Sequence, residues 1–189
     1  METLLTRNGE RVTALRDYLF LKVMGEKGDE EQLLAFLNAV LGRTGENQFV
    51  SVEIMEGKSL VAETMGLKSG VLDLRAVLPG GTIVNVEVQL SNDHDMDKRS
   101  LFYWSKLFVN SLKKGQNYEE LPRVIAINII NFEFFAAGDY HTRFHLWEDK
   151  DEILMTDVLE IHYLDMVKWR GGKRKRHSKR TFAPVAVMV

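Results

Sequence analysis

Between residues 71 and 90 the chain reads VLDLRAVLPGGTIVNVEVQL, apolar at every other position on either side of a Pro-Gly-Gly turn. Strict alternation marks a half-buried strand. Proline lacks an N–H and glycine accepts positive φ, so the ladder breaks at Pro79-Gly80-Gly81 and the segment is expected to form a hairpin. With Leu78 facing Thr82, Leu72 meets Val88, Leu74 meets Val86 and Ala76 meets Val84, which makes one apolar face. The other face then carries Arg75 opposite Asn85 and Asp73 opposite Glu87, with Gln89 two residues further along. A loop one residue shorter would set Asp73 against Val88 and mix the faces, and the alternation rejects that register.

The rest of the pattern supplies a scaffold. In GDEEQLLAFLNAVLG, residues Leu33, Leu34, Phe36, Leu37, Val40 and Leu41 share one face at helical spacing. Asp29 is the expected N-cap, with Gln32 completing a capping box, and Gly42 the expected stop. RDYLFLKVMG before it reads as a short apolar helix or turn. FVSVEIMEG (49–57) reads as a strand, and 58–70 as irregular or as extensions of its neighbours. NDHDMDKRSLFYWSKLFVNSLKKG reads as a second helix, capped by one of its aspartates and stopped at Gly115. RVIAINIINF (123–132) is β-branched and nearly continuous in apolar character, as a central strand buried on both faces would be. YHTRFHLWE and DVLEIHYLDM alternate and predict further strands. The order is α-β-β-β-α-β followed by more β, an α/β chain with no internal repeat.

Composition narrows the chemistry. At 189 residues and 45% hydrophobic the chain can bury one sizeable core. There is no cysteine, which excludes disulfides, thiolate metal sites and a cysteine nucleophile. No apolar run reaches ~18 residues, so no membrane span is expected. No secretory signal is expected at the N-terminus, and the expected location is cytoplasmic. The formal charge of −2 hides an asymmetry: residues 170–189 hold seven Lys/Arg and no Asp/Glu, which leaves 18 basic and 27 acidic residues in 1–169, a charge of −9. Residues 1–169 are therefore expected to form the domain and 170–189 a basic, disordered tail. An acidic body does not bind phosphate backbones by charge alone; a local groove, a metal or the tail must offset the repulsion.

The polar face of the hairpin is the main candidate for chemistry. Directly opposed residues have Cβ atoms ~4.5–5.5 Å apart, and like charges there destabilise a sheet. A hard divalent cation held by Asp73 and Glu87 resolves the conflict, because Mg²⁺ takes one or two carboxylates, waters and substrate phosphate oxygens. Gln89 points the same way and could hold a water or a phosphate oxygen. The competing reading is a solvated face on which Arg75 pairs with either carboxylate. Elsewhere, SNDHDMDKR (91–99) does not match an EF-hand loop and reads as a solvated helix start. Arg99, Tyr103 and Lys106 recur at i, i+4 and i+7 on one face of the second helix. His94, His141, His145, His162 and His177 have no ligand spacing. No Ser-His-Asp order, glycine-rich phosphate loop or zinc pattern is present. The run KRKRHSKR could bind DNA by counterion release or be solvated without a specific role.

Six segments in order, DYLFLKVMG, EEQLLAFLNAVLG, VLDLRAV, NVEVQ, KRSLFYWSKLFVNSLKKGQNYEELPRVIAINIINFEFF and TDVLEIHYLDMVKW, run from Asp17 to Trp169. In them the chain resembles the PD-(D/E)XK, restriction-endonuclease-like superfamily. More narrowly it resembles the Rpn-type recombination-promoting nucleases, also described as PD-(D/E)XK family transposases. The resemblance implies an αβββαβ core with a mixed central sheet flanked by helices, plus extra C-terminal strands. It implies a DNA endonuclease linked to recombination or transposition, with Mg²⁺ as cofactor and Mn²⁺ as substitute. Asp73 and Glu87 would be the metal-binding and catalytic carboxylates, and Gln89 would take the place of the motif's lysine. Glu31, or its neighbour Glu30, is the candidate for a further acidic ligand from the first helix. Arg99, Tyr103 and Lys106 would face DNA, and self-association is left open. Family members continue past LDMVKW with helical sequence where this chain turns basic, so a shortened C-terminus is expected. A second reading follows from that ending: a catalytically silent remnant that only binds DNA or self-associates.

Overall fold

The computed structural model of the protein describes Met24, residues 28–55, residues 73–90, Asn92 and residues 94–171. Among the described elements the first is the helix α1, Glu30–Val40. Strands β1 (Glu53–Met55), β2 (Asp73–Val77) and β3 (Ile83–Gln89) follow, then α2 (Met96–Asn110). Strands β4 (Val124–Ile130), β5 (His141–Trp147) and β6 (Leu154–Asp165) and the short helix α3 (Met166–Arg170) complete the order. The six strands form one mixed sheet in the order β1-β2-β3-β4-β6-β5. Strands β1, β2 and β3 pair antiparallel, β3, β4 and β6 run parallel, and β5 is an antiparallel edge strand on β6. This is the α/β class expected, with α2 as the crossover that the parallel β3–β4 pair requires.

The hairpin register is the one the alternation demanded. Asp73 pairs with Glu87, Leu74 with Val86, Arg75 with Asn85 and Ala76 with Val84. Leu78 N–H donates to Thr82 O at 2.9 Å and closes the loop. Gly80 and Gly81 hold φ of +82° and +80°, so two consecutive left-handed residues turn the chain, a conformation other residues rarely adopt.

Among the described residues, α1 packs on one sheet face and α2 on the other. Val84, Val86 and Val88 of β3 and Ile125, Ile127 and Ile129 of β4 pack against Leu33 and Leu37 of α1. The opposite face, with Val124, Ala126, Ile130, Leu159, Ile161 and Tyr163, packs against Met96, Trp104 and Leu107 of α2. The four buried residues of α2, Met96, Ser100, Trp104 and Leu107, are spaced by three and four, the stripe a core-facing helix presents. Trp104 donates from Nε1 to Val124 O at 2.8 Å, which fixes α2 over the start of β4. Every residue of β4 is buried, as its unbroken apolar run required.

Several boundaries differ from the expectation. Asp29 precedes α1, but its φ of −97° and ψ of 12° lie outside the extended region of a capping residue, and its side chain makes no capping hydrogen bond. Glu30 instead accepts the Gly28 N–H at 2.9 Å. Asp95 sits at the N-cap of α2, also without a side-chain cap. That helix ends at Asn110 rather than Gly115, where Ser111 Oγ donates back to Phe108 O at 2.6 Å; a short hydroxyl that bonds its own backbone competes with helix continuation. Strand β1 is only three residues long. The readings of RDYLFLKVMG apart from Met24, of 56–70, of the Leu72–Val88 pair, of Ser91 and Asp93, and of the tail beyond Gly171 lie outside the described residues.

Candidate active site

Parallel pairing extends the hairpin's polar row across the sheet. Asp73 is in register with Glu87, Glu87 with Asn128, and Asn128 with Tyr163. The row lies on the α2 face, where Glu87, Asn128 and Tyr163 are covered rather than solvated. Glu87 is 2% exposed and Asn128 is also buried. A buried carboxylate must be paired or coordinate a cation, and α2 supplies the partner. Arg99 donates from Nε to Glu87 Oε1 at 2.9 Å, and its Nη2 lies 2.7 Å from the same oxygen. Ser100, one residue on, lies 3.1 Å from Asn128 Oδ1, and Asn128 Nδ2 donates to His162 O at 3.1 Å. Tyr163 donates its hydroxyl to Met96 O at 3.3 Å, and burial pushes its pKa above the ordinary phenol value. The solvated-face reading of the hairpin therefore fails for Glu87 and Asn85, both of which are buried.

The remaining candidates fall around this row. Gln89 ends β3, half-buried, in register with Ile130 at the carboxyl end of the parallel strands. Open α/β sheets commonly bind ligands beyond that end. Arg99, Tyr103 and Lys106 are all half-buried, so they form the flank of α2 beside its core stripe rather than its outer surface. The Arg99 guanidinium lies over the Tyr103 ring, 5.5 Å from its centroid. Glu30 and Glu31 occupy the first turn of α1, the helix on the other sheet face, and Glu31 is exposed. Among the described residues no three His, Cys, Asp or Glu side chains gather as a metal cluster. The donor types in the Asp73–Glu87–Gln89 stretch are oxygens throughout, which suits a hard cation such as Mg²⁺ or Mn²⁺ and not a thiolate- or imidazole-seeking metal. His94, Asp95 and Asp97, from the acidic stretch before α2, are exposed.

A second buried polar group lies on the α1 face and was not read from the sequence. Glu160 of β6 is 2% exposed and bonds Arg123 Nη2 through Oε2. Its Oε1 lies within hydrogen-bond distance of His162 Nε2, at 2.8 Å, and His162 Nδ1 is 2.8 Å from His141 Nε2. Arg143 Nη1 approaches Oε1 at 3.8 Å. Burial alone would raise the Glu160 pKa, but the hydrogen bond and charge of His162 and the Arg123 guanidinium overcome it and bring it to about 2. His162, which has no ligand spacing in the sequence, is fully buried. The available signal was the Glu-x-His pair within the otherwise apolar stretch 158–164 of β6; its partners lie 37 and 21 residues away in the chain, beyond what local pattern can join.

No curated protein and no solved structure matches the chain. A family model described as PD-(D/E)XK nuclease family transposase matches residues 14–183, a span that runs past Trp169 into the basic segment.

Proposed function

The chain belongs to the PD-(D/E)XK nuclease family transposases, and on that premise we propose that it is a divalent-cation-dependent DNA endonuclease whose centre is the Asp73–Glu87–Gln89 face of the hairpin. The observation that carries the reading is the in-register pairing of Asp73 with Glu87, with Glu87 buried beneath α2 and next to a cation. Like charges paired across adjacent strands destabilise a sheet, and a divalent cation held by both residues would offset that repulsion.

Asp73 and Glu87 would hold the cation, Mg²⁺ or Mn²⁺. When bound, it would supply Lewis-acid polarisation of the phosphate and a lowered pKa for the attacking water. The chain's own groups do the rest. The Gln89 amide is neutral and orients a water without taking its proton. Arg99, already held by Glu87 and by the Tyr103 ring, would present donors to a phosphate oxygen beside the carboxylates, and Lys106 would add a point charge about two turns further along the same flank. These groups also reduce the repulsion of the acidic body for DNA.

The Arg99–Glu87 pair supports a second reading as well. It satisfies Glu87 without a metal, as it would in a silent remnant that only binds DNA or self-associates. Incubation of supercoiled plasmid with purified protein separates the two. The endonuclease reading expects nicked or linear product with Mg²⁺, none with EDTA, and loss of product in Asp73→Ala. Binding of plasmid without cleavage under Mg²⁺ and Mn²⁺ would favour the remnant.

A further inference from the structure

On the α1 face of the sheet, opposite the Glu87 row, a cavity of about 240 Å³ opens between the end of α1 and the starts of the parallel strands. Leu41, Gly42, Arg43, Thr44, Asn47 and Phe49 form one wall. Arg123, Ile125, Arg143 and Glu160 form the other. Three arginines and one glutamate therefore line a single recess.

The walls are held in place. Arg43 N–H donates to Asn38 O at 2.8 Å and Gly42 N–H to Ala39 O at 3.3 Å, the paired bonds that end a helix in a Schellman turn. The buried Asn38 amide brackets Phe49, accepting its N–H at 2.8 Å and donating to its carbonyl at 2.9 Å. The Arg43 guanidinium rests over the Phe49 ring, 5.1 Å from the centroid. Across the recess Glu160 fixes Arg123, and Arg143 Nη1 lies 3.8 Å from Glu160, with 40% of its side chain exposed. The Arg123 Nε–H is buried and has no acceptor among the described residues. A buried donor without a partner costs free energy, and an anion in the recess would relieve it.

We infer that this recess binds a phosphomonoester dianion, with Arg43, Arg123 and Arg143 as its ligands and Glu160 as the group that orients Arg123. The charge agrees: three guanidiniums and one ionised carboxylate leave +2. The size agrees as well, since about 240 Å³ equals roughly eight waters of liquid and falls below the ~300–1,000 Å³ of sites for drug-sized ligands. Planar guanidinium forks match phosphate oxygens two at a time. The phosphomonoester could belong to a free mononucleotide or to the 5′ end of a DNA strand. The site is on the other sheet face from the proposed nuclease centre and does not depend on that reading.

The test is thermal unfolding of the full chain in inorganic phosphate against chloride at equal ionic strength, followed by calorimetric titration with deoxyadenosine 5′-monophosphate. Phosphate should raise the melting temperature of the wild type in a concentration-dependent way. Arg43→Gln and Arg143→Gln should each weaken phosphate binding about tenfold, while Lys150→Gln, which removes an exposed charge elsewhere, should not. Neither arginine is fully buried, and circular dichroism of the variants controls for folding. Oligonucleotides with a 5′-phosphate or a 5′-hydroxyl then identify the source: preference for the phosphorylated end assigns the site to DNA termini, and mononucleotide binding without that preference assigns it to a small ligand. Absence of any phosphate-specific shift in the wild type, or an equal shift in all three variants, would overturn the inference.

Discussion

Two buried glutamates define the two sheet faces, and they are satisfied differently. Glu160 is enclosed by His162 and Arg123, with Arg143 at its edge. Glu87 has Arg99 on one side and, in the register, a second acidic residue on the other. Glu160 has a definite pH consequence. Its pKa is about 2 in the folded protein against an ordinary value of 4.5, so between those values the unfolded chain binds a proton that the folded chain does not. Its contribution is fully present above about pH 4.5 and is lost as the pH falls toward 2. Glu160→Ala is expected to cost about 3–5 kcal/mol at neutral pH, because it leaves a buried guanidinium and histidine without their partner. Denaturant unfolding from pH 7 to pH 2 should show that difference shrinking below pH 4.5; a constant difference would mean the carboxylate is not held ionised. The contrast also marks what is legible at this scale. Asp73 and Glu87 are readable because a strict period of two and one turn fix which residues face each other. Glu160, Arg123 and His141 are not, because they meet only after β4, β5 and β6 assemble.

At the scale of elements, continuous signals are the legible ones. The unbroken apolar run of β4, the alternation of the hairpin and the helical spacing of α1 each find their place. The cap of α1 and the end of α2 do not, because one or two side-chain hydrogen bonds decide them and several short polar residues compete for the same backbone groups. Gly42 is a boundary that the pattern places correctly. It holds φ of +65°, and a Cβ added there would meet nothing within 4 Å. Gly42→Ala should therefore act through backbone conformation alone and cost about 1–2 kcal/mol, measured as a shifted denaturation midpoint with an unchanged m-value. No loss of stability would mean that α1 does not end in a left-handed residue.

At the largest scale the organising fact, among the described residues, is one mixed sheet with α1 on one face, α2 on the other and a different polar group under each. The α2 face carries the proposed nuclease centre, beside the Arg99–Tyr103–Lys106 flank. No helix among the described residues is long and apolar enough to cross a membrane. Charge is divided along the chain rather than between faces: residues 1–169 carry a formal −9, while 172–189 hold six Lys/Arg and no acidic residue. If that segment neutralises DNA phosphates, its removal should lower DNA affinity at low salt. It should also reduce the slope of log K against log salt by about 0.9 for each phosphate no longer neutralised. An unchanged slope would assign phosphate binding to Arg99 and Lys106 instead.

The central claim is that Asp73 and Glu87 together hold a divalent cation, and the direct measurement is calorimetric titration of Mn²⁺ into the metal-free protein and into Asp73→Asn and Glu87→Gln. Each substitution keeps side-chain size while removing one charge from the pair. The account predicts saturable Mn²⁺ binding in the wild type that is lost or greatly weakened in each variant while the fold is retained. Equal Mn²⁺ affinity in all three proteins, or no binding to the wild type at millimolar Mn²⁺, would contradict it.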